Sequence, residues 1–108
     1  MSDFRNEKIK NMIKELSALF IEKEAGNSSL ITVTRVLLSD DAKRATILIS
    51  VLPEDKENAA YGFIKRNLGE LRKQISKTLK INPVPFLDIK IDKGEKNRQK
   101  IDELLING

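Results

Sequence analysis

The sequence predicts an α+β fold in which helices form one layer on a small sheet. Three observations predict it. Apolar residues near the start recur at three- and four-residue intervals, two β-branched runs follow with a short polar loop between them, and a basic helical segment leads into a strictly alternating third run. At 108 residues the chain fits one domain, over 1–108.

From Asp3 to Ala25, Ile9, Met12, Ile13, Leu16 and Phe20 form one apolar stripe of an amphipathic helix, with Asp3 suited to cap its start and Gly26 its end. GNSS makes the turn. Leu30 to Leu38, LITVTRVLL, is a strand with Ile31, Val33 and Leu37 on one parity, although Arg35 interrupts that face. Ala45 to Leu52 is a second strand with Ile47, Ile49 and Val51 on one face, and the polar loop SDDAKR predicts that the two are antiparallel neighbours.

Pro53 suits a first helical position, and Glu54, Asp55 and Glu57 suit the positive end of a helix dipole, so a short helix is expected toward Tyr61. A second, longer helix is expected after Gly62, because Ile64, Leu68, Leu71, Ile75 and Leu79 fall within roughly 80° of one another on a helical wheel. INPVP ends it, since each proline removes a donor and disfavours helical geometry before it. Leu87, Ile89 and Ile91 then alternate with Asp88, Lys90 and Asp92 as a half-buried third strand, and Gln99 to Ile106 is expected to close the chain as a short helix.

Composition narrows the chemistry. With no cysteine there is no disulfide framework or thiolate metal site, and with no histidine the usual general base and the commonest metal ligand are missing. Ser76 lies on the polar side of its helix without S-x-x-K spacing, and no glycine-rich phosphate loop or zinc spacing occurs. The chain is therefore expected to be neither an enzyme nor a cofactor or metal protein. Its apolar runs are too short to span a membrane and its N-terminus has no signal-peptide core, so a cytoplasmic location is expected.

Charge supplies the positive indication. The chain has 20 basic and 16 acidic residues, yet Lys65, Arg66, Arg72, Lys73, Lys77 and Lys80 stand against the single acid Glu70, while the remainder is 14 basic against 15 acidic. On one continuous wheel the six cations spread over roughly 140°, away from the apolar stripe, with Gly69 near the middle of the arc. A purely solvating face usually alternates signs; a one-sign face with a bare position suits a phosphate backbone. The expected RNA-binding set is thus Lys65, Arg66, Gly69, Arg72, Lys73, Lys77 and Lys80, beside an interhelical joint at Ala60, Tyr61 and Gly62. Tyr61 or Phe63 beside Gly62 could stack on a base, with core packing the expected fate of Phe63, but general single-strand binding through stacking is disfavoured, because only five aromatics are present and most fall on apolar stripes.

Taken in order, the ITVTRV strand, the SDDAKRATILISVLP hairpin with its Ser39-x-Asp41 loop, the A-x-G junction Ala60-Tyr61-Gly62, the basic helix LRKQISKTL, and Pro85, Leu87 and Asp92 around the last strand resemble the ribosome-binding factor A family over nearly the full chain. The resemblance implies a type II KH-like domain of order α-β-β-α-α-β, with an interhelical A-x-G kink in place of a G-x-x-G loop. It also implies a monomeric, non-enzymatic factor that binds the immature small (30S) ribosomal subunit near its neck and contacts its rRNA. Late maturation, rRNA 5′-end processing and growth in the cold are implied as its role, with a ribosome-associated GTPase removing it. Asn82 stands near where the family commonly has arginine, and Ile89 where an aromatic is usual. The alternative is a protein-interaction module whose two-helix layer carries an acidic protein partner.

Overall fold

The structure is a computed structural model that describes residues 2–80 and 84–94, with side chains from Arg5 onward. Its elements are α1 (Ser2–Glu24), β1 (Leu30–Leu38), β2 (Arg44–Leu52), a 3₁₀ turn at Glu54–Lys56, α2 (Glu57–Arg66), α3 (Leu68–Leu79) and β3 (Phe86–Ile91). The closing helix expected over Gln99 to Ile106 lies outside the described residues, as does Asn82.

The sheet runs β1-β2-β3, antiparallel between the first two strands and parallel between the last two. A parallel return needs a long crossover, and α2 with α3 supplies it. All three helices pack on one sheet face, where Ile47, Ile49 and Val51 of β2 and Ile89 of β3 meet Ile9, Ile13, Phe20 and Ile21 of α1, Ile64 of α2, and Leu71 and Ile75 of α3. Burying each such side chain contributes about 1.5–3 kcal/mol. Helix α1 begins at Ser2, so Asp3 lies inside its first turn rather than at the cap; Ala25 still closes the other end, donating to Ile21 O at 2.8 Å.

Strand β1 departs from the expected alternation. Val33 pairs with Ile49 but Arg35 pairs with Leu48, leaving Thr34 as an extra residue. This bulge reverses the parity, so Val36 is buried three positions after Val33, while Arg35 and Leu37 turn outward. Leu37, expected on the buried face, is exposed for that reason. Thr34 also anchors the strand: its Oγ1 donates to Asp92 Oδ2 at 2.6 Å, while Asp92 N donates to Ile49 O at 2.8 Å. Buried Asp92 thereby ties the end of β3 across the sheet to the bulge.

The hairpin between β1 and β2 is held by its own side chains. Ser39 Oγ donates to Asp41 Oδ1 at 2.7 Å and accepts from Arg44 N at 3.0 Å; Lys43 N donates to the same carboxylate oxygen at 3.0 Å. These bonds, that from Ser39 first, hold the Asp41 carboxyl below its ordinary value of 3.8.

Candidate nucleic-acid interface

The two-helix connection differs from the expected one at its joint. Helix α2 runs unbroken through Ala60, Tyr61 and Gly62, and the bend falls at Asn67. Gly62 has no left-handed backbone, and Ala60 is buried in the core. The A-x-G sequence is therefore a helical turn rather than a kink, because one interior glycine costs a helix only about 1 kcal/mol. Asn67 makes the break: its Nδ2 donates to Phe63 O at 2.8 Å and its N–H to Ile64 O at 3.0 Å, which tightens the last turn of α2. Leu71 N then donates to Asn67 O at 3.0 Å and α3 begins.

The bend divides the six cations between two helices, so one continuous wheel does not describe them. In α3, Leu71 and Ile75 face the core, leaving Gly69, Lys73, Ser76 and Lys77 exposed, with Lys80 just past the last turn. A Cβ at Gly69 would meet nothing within 4 Å among the described residues, so this position is open outward. Lys80 closes α3 in the left-handed conformation (φ 53°, ψ 32°), donating its N–H to Ser76 O at 3.2 Å. Arg66, at the end of α2, folds its guanidinium back along the helix, and a Cβ at Gly62 would lie 3.2 Å from Arg66 Nη1.

Lys65 and Arg72 turn instead toward β3. Lys65 Nζ bonds Asp88 Oδ1 at 2.8 Å, and this contact is the first cause both of the raised Lys65 pKa and of the lowered Asp88 pKa. The pair is half-exposed, which keeps its stabilising contribution small. Arg72 is more firmly placed: Nη2 donates to Val84 O at 2.7 Å, Nε to Pro85 O at 3.2 Å, and the guanidinium lies 4.8 Å from the centre of the Phe86 ring. Of the expected phosphate-binding set, Arg66, Lys73, Lys77 and Lys80 remain exposed with no ion pair to an acid among the described residues.

Phe86 adds a feature that the sequence did not single out. It is 67% exposed, on the sheet face turned away from the helices. The signal is present in its parity, since Phe86 alternates with Leu87 and so shares the side of Asp88 and Lys90. Among the described residues, no cluster of acids could hold a metal ion, and no helix is long and apolar enough to cross a membrane.

A three-stranded sheet in the order α-β-β-α-α-β, with a parallel third strand and a cationic helix turned outward, is a type II KH-like domain. The sequence model of ribosome-binding factor A matches residues 5–105, and the chain belongs to that family. Among its relatives, ribosome-binding factor A of Mycoplasmopsis agalactiae is 34% identical over 97 residues, covering 88% of this chain and 84% of that protein. That of Geobacter metallireducens is 31% identical over 105 residues, covering 94% and 88%. The crystal structure of ribosome-binding factor A from Thermus thermophilus superposes with a TM-score of 0.69 at 20% identity, over 79% of this chain and 93% of that one. A homology model of the Thermus thermophilus factor, fitted into the cryo-EM map of a 30S complex, gives a TM-score of 0.68 at 20% identity, over 78% and 91%. At these identities the superpositions concern the fold.

Proposed function

We propose that the chain is an assembly factor that binds the immature small ribosomal subunit through its rRNA, with the outer face of α3 and the end of α2 as the contact surface. The observation that carries this is the group Arg66, Lys73, Lys77 and Lys80, exposed and without acidic partners among the described residues, around an open Gly69. Such a surface follows phosphates without reading sequence, and its affinity falls steeply with salt. Family membership and the fold shared with a factor fitted into a 30S complex support the choice of partner.

Within this reading the chain acts in the cytoplasm as one monomeric domain without catalysis, in late maturation and rRNA 5′-end processing, and a ribosome-associated GTPase releases it. Lys65 and Arg72 take secondary parts, because their cationic ends are engaged with β3 and the segment before it. The test is charge reversal at Arg66, Lys73 and Lys77 together. Subunit binding should weaken and its dependence on salt should become shallower, by about one unit of log-log slope for each phosphate no longer neutralised, with folding unchanged. Binding through an acidic protein would instead survive nuclease treatment of a lysate.

A further inference from the structure

We infer that a cleft on the open sheet face, at the β2–β3 edge, seats one unpaired RNA nucleotide with its base stacked on Phe86. This rests on the reading that the chain binds rRNA and adds a second kind of contact to it. The strand register places Arg44 beside Phe86, Thr46 beside Asp88 and Leu48 beside Lys90, all on the side away from the helices. Arg44, Thr46, Phe86, Asp88 and Lys90, with Ala45 and Leu87 between them and Lys65 reaching in to Asp88, line a cleft of about 500 Å³, within the range of roughly 300–1,000 Å³ usual for small-ligand sites.

Phe86 is prepared for stacking. Arg72, fixed by two backbone carbonyls, lies over the ring, which nonetheless remains 67% exposed. A planar base on the free side would complete a sandwich of guanidinium, phenyl ring and base, removing exposed aromatic surface from water. The flanking charge suits the rest of the nucleotide: exposed Arg44 and Lys90 have no ion pair among the described residues. Asp88 accepts from Lys65 Nζ and Ile89 N through Oδ1, which leaves Oδ2 toward a donor on a base. A stacking surface bordered by phosphate-binding cations is how single-stranded RNA is held.

The experiment compares two probes on the folded chain, a mixed-sequence single-stranded RNA octamer and an abasic octamer with the same number of phosphates. Phe86→Ala should weaken RNA octamer binding about tenfold and leave abasic binding unchanged, in line with the worth of one stacked base. Phe86→Trp should retain binding and, because the chain has no tryptophan of its own, report stacking as quenching by the RNA octamer alone. Equal RNA affinity for Phe86→Ala and the unaltered chain would overturn the inference, as would an abasic strand held equally well. An acidic peptide that binds as tightly and loses as much on Phe86→Ala would overturn it in favour of a protein partner. If reversing Lys73 and Lys77 abolishes subunit binding while Phe86→Ala is silent, the cleft fails and the α3 surface stands. The opposite pattern keeps the cleft and removes the α3 surface.

Discussion

Lys80 sits where helices most often place glycine, in a left-handed conformation that strains a side-chain-bearing residue by about 1–2 kcal/mol. Lys80→Gly should therefore stabilise the fold by about 1 kcal/mol in urea unfolding while weakening subunit binding, so that stability and function move in opposite directions. A gain in both would show that the Lys80 charge contributes nothing to binding. Ser17 is the complementary case: fully buried on α1, its hydroxyl has no hydrogen-bond partner among the described residues. Ser17→Ala should raise the unfolding midpoint, by about 1 kcal/mol, through relief of that desolvation and better helix propensity.

The acids give a pH prediction whose sign follows from their direction. Asp41 and Asp88 titrate below 3.8 in the folded chain, so the stability they add is present above that value and is lost as pH falls through their lowered values. Lys65 titrates above 10.5, so its share is present below that and lost as pH rises through the raised value. In an NMR titration, Lys65→Met should return Asp88 toward 3.8 and leave Asp41 where it was. Parallel movement of both acids would mean that a general field, rather than the two local contacts, lowers them. Phe86 shows what is legible at this scale: its outward parity can be read, but Arg72 reaching it from α3 is a tertiary contact with no local signature.

At the scale of elements, the helices and strands are legible because each carries its own apolar period, while the joints are not. Residue type alone makes Gly62 the expected break. The actual bend at Asn67 arises from a side-chain bond back to Phe63 O, competing with the next helical bond. The two placements predict opposite signs for Gly62→Ala. With Gly62 inside α2 and, among the described residues, only the flexible Arg66 guanidinium near a new Cβ, the substitution should stabilise the domain by up to about 1 kcal/mol in urea unfolding; a left-handed kink there would make it destabilising. The β1 bulge is half visible, since Arg35 breaks the apolar parity of its strand. Its solution, one extra residue at Thr34 held by Asp92 from beyond β3, needs contacts 58 residues apart.

Across the whole molecule, the antiparallel hairpin follows from a short polar loop, whereas the parallel placement of β3 beside β2 has no local sign. The resemblance to ribosome-binding factor A implies the order of elements along the chain, which the fold shares, while the strand neighbours emerge only from the fold. The arrangement separates two surfaces. Helices cover one sheet face and carry cations outward, while the other face exposes Leu30, Leu37, Leu52 and Phe86. The cationic segment evident in composition is thus a two-helix surface, with four exposed cations that have no ion pair among the described residues and two cations turned to β3.

The most direct measurement is co-sedimentation of the chain with purified immature and mature small subunits across a salt series. Preferential pelleting with the immature particle is predicted, with affinity falling about a hundredfold between roughly 50 and 200 mM salt for about four phosphate contacts and collapsing on reversal of Lys73 and Lys77. Equal pelleting with both particles, or binding indifferent to salt and to those two lysines, would contradict it.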